Sequence, residues 1–250
     1  MKKRFNSDRL ILDVCGGTGS WSKPYRDAGY TVIVLDPEAF TDNAGGAVCG
    51  GEGDVRDPRY HVKGCFGMPV HGILMSPPCT EFASSGARWW ADKAANSPHL
   101  LEDAIAVAEA CLNLVKVHEP KWWVLENPVG RFRRLLADKL TEVSLDVAEA
   151  WDHAEGRNEY QPFFVPLRAN KPVMTFHPCE FAGWLVNSIK EAYTKATQLF
   201  GRFRKPLKRP LDPVHGSKMH KKYGGKSART KRMRSKTPEG FAEAFYHANP

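Results

Sequence analysis

The sequence predicts an α/β fold built on a mostly parallel sheet. Four short apolar or β-branched runs each end in polar or small residues, and a long segment with helical spacing lies between them. The residues able to do chemistry gather at the ends of those runs, where open α/β sheets hold their ligands. In chain order, "LILDVC" (Leu10 to Cys15) and "TVIVLD" (Thr31 to Asp36) are the first two predicted strands, and "GDVRD" places Asp54 at the tip of a third. "HGILMS" (His71 to Ser76) and "WWVLEN" (Trp122 to Asn127) are the fourth and fifth. Leu100 to Glu119 repeats Ile105, Ala108, Cys111, Leu112 and Val115 at helical spacing and stops before Pro120, which predicts a helix. Further on, "KPVMTFHPCEFAGW" and "YTKATQLFG" read as a few short strands. "TPEGFAEAFYHAN" (Thr237 to Asn249) reads as an amphipathic helix, with Thr237 as N-cap, Pro238 at the first helical position and Glu239 in the first turn. Its Phe241, Ala244 and Phe245 should dock on the body.

At 250 residues and 42% hydrophobic content the chain is long enough for one full-sized core. No apolar run approaches the roughly 20 residues of a membrane span, and the opening residues alternate in charge before any apolar stretch, unlike a secretory signal. The expectation is a protein without membrane contact that stays where it is made, in the cytoplasm. The six cysteines form no C-x-x-C pair and no finger spacing, so neither a metal site nor a disulfide framework is expected.

Charge is unevenly spread. Gly201 to Lys236 holds fourteen Lys and Arg against one acid, Asp212, so this stretch carries +13 while the rest of the chain sums to −5. A run so one-sided repels itself unless a polyanion neutralises it, which predicts a loosely packed nucleic-acid-binding arm. The expected organisation is therefore a catalytic domain over 1–200, a basic arm over 201–236 and a closing helix over 237–250.

The first strand runs into "DVCGGTGSW" (Asp13 to Trp21), where Gly16, Gly17 and Gly19 allow a tight turn and let a ligand approach the main chain. As a dinucleotide fingerprint it is poor, because Ser22 stands where G-x-G-x-x-G needs its third glycine. Asp36 ends the second strand, where an acid can hold both ribose hydroxyls of an adenosine, and Asp54 can accept from an adenine amino group. Glycine turn, acid and acid at successive strand tips resemble the S-adenosylmethionine pocket of the Rossmann-like class I methyltransferases.

The fourth tip, "SPPC", carries Cys79 behind Pro77 and Pro78. Methyltransferases acting on amino groups of DNA bases place an aromatic residue after S-P-P or D-P-P; here a thiol stands instead. Carbon 5 of cytosine is too weak a nucleophile to take a methyl group unaided, so the ring must first be activated by addition at carbon 6, for which a thiolate is suited. A free cysteine, with pKa about 8.5, is only a few per cent thiolate at neutral pH and needs help. The fifth tip, "VLENPVGRF", supplies an acid, Glu126, placed to hold N3 and the 4-amino group of the base.

The order D-V-C-G-G-T-G-S, V-L-D, G-D-V-R-D, S-P-P-C, E-N-P resembles the C5-cytosine DNA methyltransferases, small phage-type members in particular, over residues 10–131. The resemblance implies a class I methyltransferase fold with a reduced C-terminal recognition region, its small insert within about 132–200. It implies S-adenosylmethionine as cofactor, held by Cys15, Gly16, Gly17, Thr18, Gly19, Ser20, Trp21, Asp36, Asp54, Val55, Ser76 and Pro77. It implies catalysis by Cys79 and Glu126 on a flipped-out cytosine in double-stranded DNA, with Pro78, Asn127 and Arg131 at the substrate, by a monomer of restriction-modification type. Thr80 to Trp90 would be a mobile loop closing over the base. Pro128 stands where most members have E-N-V, and neither the Q-x-R-x-R nor the G-N-S-V motif is found. The same chemistry on RNA, a catalytically degenerate DNA-binding protein, and transfer of a modified methyl group stay open as alternatives.

Overall fold

The computed structural model describes residues 6–37, 51–143, 171–217 and 233–250. Its elements in order are β1 (Leu10–Val14), α1 (Lys23–Asp27), β2 (Thr31–Asp36), β3 (Gly51–Glu52), β4 (Val70–Met75), α2 (Trp90–Asn96), α3 (His99–His118), β5 (Trp122–Pro128), α4 (Phe132–Leu135), β6 (Met174–Phe176), β7 (Thr197–Arg202) and α5 (Glu239–Ala248). Among the described residues they form one seven-stranded sheet in the order β3-β2-β1-β4-β5-β7-β6. β1 to β5 pair in parallel, and β7 alone runs against them, antiparallel to both β5 and β6. This is the class I S-adenosylmethionine-dependent methyltransferase fold expected from the sequence.

Both faces of the sheet are covered, so its central strands are apolar on both sides, as parallel strands must be. Leu10, Leu12 and Val14 of β1 with Trp123 and Leu125 of β5 face a core closed by α3 and α4. Ile11 of β1 with Trp122 and Val124 of β5 face a second core shared with α1 and α5. Ala108, Cys111, Leu112 and Val115 of α3 are all buried, and Glu119 ends the helix in the left-handed region at φ 45° with its N–H on the Val115 carbonyl.

Strand ends depart from expectation where the backbone turns early. β1 stops at Val14 because Cys15 adopts φ 55°, a left-handed conformation uncommon for a side-chain-bearing residue. β5 runs one residue past Asn127 because Pro128 pairs with Thr197.

The closing helix also starts differently. Thr237 is not the N-cap: that position falls to Pro238, which has no capping side chain. The cap comes instead from Glu191, whose carboxylate accepts the N–H of Glu239 at 2.6 Å and of Gly240 at 2.9 Å. Helical amides are satisfied by whichever acceptor reaches them, and here it is a distant one. Phe241 and Phe245 are fully buried, Phe241 stacking on Phe176 at 4.1 Å.

The basic stretch is not a loose arm over its first half. Gly201 and Arg202 belong to β7. Arg209 then donates its N–H to Glu180, Leu211 to Cys179 and His215 to Ala192, each through backbone bonds of 2.8–3.0 Å. Residues 218–232 lie outside the described residues, as do 144–170 of the expected recognition insert. Among the described residues no helix is long and apolar enough to cross a membrane.

Candidate active site

The parallel strands share a carboxyl edge, and the glycine turn, Asp36, Cys79 and Glu126 all follow strands that end there. At β1 the turn is braced from below. Asp13 is buried, accepts from Ser22 Oγ at 2.5 Å, and is pushed up to about 6, chiefly by desolvation and partly offset by the Ser22 hydrogen bond. Arg26 donates to Ser22 Oγ and to the Gly19 carbonyl, each at 3.0 Å. A β-carbon on Gly16 would lie 2.2 Å from Asp13 Oδ1, so only glycine lets the turn sit this close. Gly17 (φ 49°) donates its N–H to Asp36 Oδ2 at 2.9 Å, which brings the acid of β2 into the turn.

This arrangement fits an adenosyl-type cofactor: main-chain groups are exposed by glycine, and a carboxylate lies beside them. Asp54 is half-buried and gripped by Arg56, which also pairs with Asp103; the Arg56 hydrogen bonds hold the Asp54 carboxyl below its usual range. Three other residues assigned to the cofactor are turned to different work. Trp21 is 1% exposed, with its indole against Phe241 and Phe245, and belongs to the second core. Val55 is buried in the first core, which leaves only its main chain for a ligand. Cys15 directs its sulfur to Cys111 of α3, 3.9 Å away. Thr18 and Ser20 are half-buried on the turn, and Ser20 Oγ accepts the Thr237 N–H. Ser76 donates its N–H to the Val14 carbonyl and fixes the start of the proline loop, where Pro77 is buried and Pro78 exposed.

Cys79 is an exposed residue, yet the protein around its sulfur desolvates the thiol. Desolvation pushes the thiol up, and the Glu126 carboxylate pushes it further. Glu126 is itself raised by desolvation. One cation, Lys195, opposes both shifts, so thiol, carboxyl and ammonium share one electrostatic neighbourhood. Asn127, next in the strand, is fully buried, and among the described residues neither its Oδ1 nor its Nδ2 has a hydrogen-bond partner. Such a buried unsatisfied carboxamide is costly and marks a place where stability yields to another demand.

Lys195 was not legible in the sequence as a site residue. Its place follows from the antiparallel register of β7 on β5, Thr197 opposite Pro128 and Leu199 opposite Glu126, which swings the residues preceding β7 over the carboxyl edge. Nζ of Lys195 donates to the Arg234 carbonyl at 3.3 Å, and Arg234 also lowers the Cys79 thiol. The end of the basic stretch thus comes within electrostatic range of the nucleophile. Thr237 meanwhile touches the glycine turn.

The loop after Cys79, expected to move as a lid, is fastened at both ends. Phe82 is buried against Phe132, Ala83 bridges Gly130, and Ser84 donates to the Val129 carbonyl. Arg131, assigned to the substrate, instead braces this loop: Nε donates to the Glu81 carbonyl at 2.7 Å and the guanidinium lies 4.4 Å from the Trp90 ring. Among the described residues no group of three or more His, Cys, Asp or Glu could hold a metal ion.

The chain is 24% identical over 187 residues to the type II methyltransferase M.DdeI of Desulfomicrobium norvegicum, an alignment covering 65% of this chain and 41% of that protein. Among solved structures it resembles a candidate DNA modification methyltransferase encoded within a prophage of E. coli, with a TM-score of 0.42 and 16% identity over 77% of this chain and 46% of that one. No family model matches the chain. The chain spans less than half the length of either relative.

Proposed function

We propose that the chain transfers a methyl group from S-adenosylmethionine to carbon 5 of a cytosine flipped out of duplex DNA. The observation that supports this most is that Cys79 and Glu126 follow neighbouring parallel strands, β4 and β5, onto the edge that also carries the glycine turn and Asp36. S-adenosylmethionine, held by the turn and Asp36, supplies an electrophilic methyl group. Cys79 adds through sulfur to carbon 6 of the base, and the electron pair of the C5–C6 double bond moves toward carbon 5. Glu126, inclined by burial to keep its proton, holds N3 and lends that proton as the ring becomes electron-rich. Carbon 5 would then take the methyl group as the bond from that group to the sulfonium sulfur breaks, and loss of the carbon 5 proton to solvent re-forms the C5–C6 double bond, expels the Cys79 sulfur and lets N3 return its proton to Glu126.

The electrostatics couple these steps. A charged Glu126 disfavours the Cys79 thiolate and Lys195 opposes it, so the protonated Glu126 that would grip N3 is also the form that burdens the thiol least. Incubating duplex DNA with donor carrying a labelled methyl group, then digesting to nucleosides, should yield label in 5-methyldeoxycytidine. Label in N4-methyldeoxycytidine or N6-methyldeoxyadenosine, or transfer to RNA alone, would overturn the reading.

A further inference from the structure

Two thiols meet where the glycine turn leaves the sheet. Cys15 stands between β1 and the turn, and its sulfur lies 3.9 Å from that of Cys111 on α3. Cys65, by contrast, turns its sulfur to the Tyr60 carbonyl at 3.6 Å. The two partners are unequal. Cys15 is half-buried, whereas Cys111 is fully buried in the first core. The Cys15 sulfur beside it and desolvation push the Cys111 thiol well above its ordinary range, so Cys111 keeps its proton. One residue of the pair meets solvent, and the other waits behind it.

The backbone adds a second observation. Cys15 is held at φ 55°, a region disfavoured for any residue with a β-carbon, and glycine fills three of the next four positions. A thiol is therefore kept where this turn otherwise uses glycine. Strain of that kind persists only where its surroundings impose it, and it gathers at switch regions.

We propose that Cys15 and Cys111 form a reversible disulfide under hydrogen peroxide, and that this bridge draws the glycine turn toward α3 and weakens cofactor binding. The second half rests on the reading of the turn as the S-adenosylmethionine site. The Cys15 sulfur, as thiolate, attacks one oxygen of the peroxide. The O–O bond breaks, the sulfur becomes a sulfenic acid, and the departing hydroxide becomes water with the proton that Cys15 gave up. The Cys111 sulfur then attacks the Cys15 sulfur, the S–O bond breaks, and the Cys111 proton leaves with that hydroxyl as a second water. Two thiols lose two electrons, and one peroxide is reduced to two waters. A disulfide needs its sulfurs about 2.05 Å apart, so these must close by roughly 1.9 Å. Buried Ala104, Ala108, Leu112 and Val115 anchor α3, so the movement falls on the turn, where Gly17 holds Asp36.

The test treats full-length protein with hydrogen peroxide, blocks free thiols with N-ethylmaleimide, and digests with trypsin. Mass spectrometry should find residues 10–26 linked to residues 94–116, each carrying one cysteine of the pair. Dithiothreitol should separate them, and neither Cys111→Ala nor Cys111→Ser should form the link. In calorimetric titrations the oxidised native protein should bind S-adenosylmethionine roughly five- to 150-fold more weakly than the reduced protein, with recovery in dithiothreitol. Both Cys111 variants should keep their affinity through the peroxide treatment. No linked peptide, Cys15 oxidised without the link, or a link that leaves affinity unchanged would each overturn the proposal. A link in a protein that binds no S-adenosylmethionine even when reduced would sink the cofactor reading, and with it the second half of the proposal, while leaving the disulfide standing.

Discussion

At the scale of the residue, the site depends on how three charges influence one another. Because desolvation and Glu126 both raise the Cys79 thiol while Lys195 lowers it, each partner has a signed effect. The pH midpoint for alkylation of Cys79 by iodoacetamide, followed on its peptide by mass spectrometry, should lie above that of an ordinary cysteine. It should fall in Glu126→Gln and rise in Lys195→Met. A second prediction concerns Asp13. Its carboxyl titrates near 6 in the folded chain against an ordinary 3.8, so between those values the folded state binds the extra proton and stability falls as pH rises. Above pH 6 the buried charge costs about 3 kcal/mol. Asp13→Asn removes this dependence, so thermal melts should show the variant gaining on the native protein between pH 5 and pH 7.5. A constant difference across that range would refute it. Cys79 and Glu126 were legible in the sequence because Cys79 follows Pro77-Pro78 and Glu126 precedes Asn127-Pro128, each at a strand end. Lys195 was not, because a lone lysine ahead of a strand has meaning only once that strand's partner is known. Trp21 misled for the opposite reason: its neighbours line the turn while its indole serves the core.

At the scale of the element, distant contacts decide what local sequence leaves open. The strands of the parallel sheet and the helix α3 follow from apolar runs and helical spacing, because both signals are local. The cap of α5 does not: its acceptor is Glu191, which lies 48 residues from Glu239 in the chain. Replacing Phe241 with alanine opens a cavity between Phe176, Phe181 and Trp21, and should lower unfolding free energy in urea by about 3–5 kcal/mol. The Cys79 loop makes a similar point. A β-carbon on Gly130 would stand 1.9 Å from the Phe82 carbonyl oxygen, so Gly130→Ala must part the Ala83 bridge. Limited proteolysis should then cut within 80–90 faster than in the native chain; an unchanged cleavage rate would show that the bridge does not fasten the loop.

At the scale of the whole molecule, the chain separates a basic stretch of +13 from a remainder of −5. The sequence showed that separation, but not that the basic stretch starts as a sheet strand, folds back on residues 179–194 and returns to Lys195 through Arg234. Connectivity of that kind depends on pairing between segments far apart in the chain, which no local pattern encodes. Lys205 is exposed on this path, and if it meets phosphate, Lys205→Ala should weaken binding to all duplexes alike and reduce the slope of log affinity against log salt by about 1. The central claim is that the Cys79 sulfur bonds to the base, and duplex DNA carrying 5-fluorocytosine tests it directly. Fluorine cannot leave carbon 5 as a proton does, so with cofactor present the native protein should form a complex that survives denaturation. Cys79→Ala should abolish the complex and Cys179→Ala preserve it; a complex that persists without the Cys79 sulfur would contradict the account.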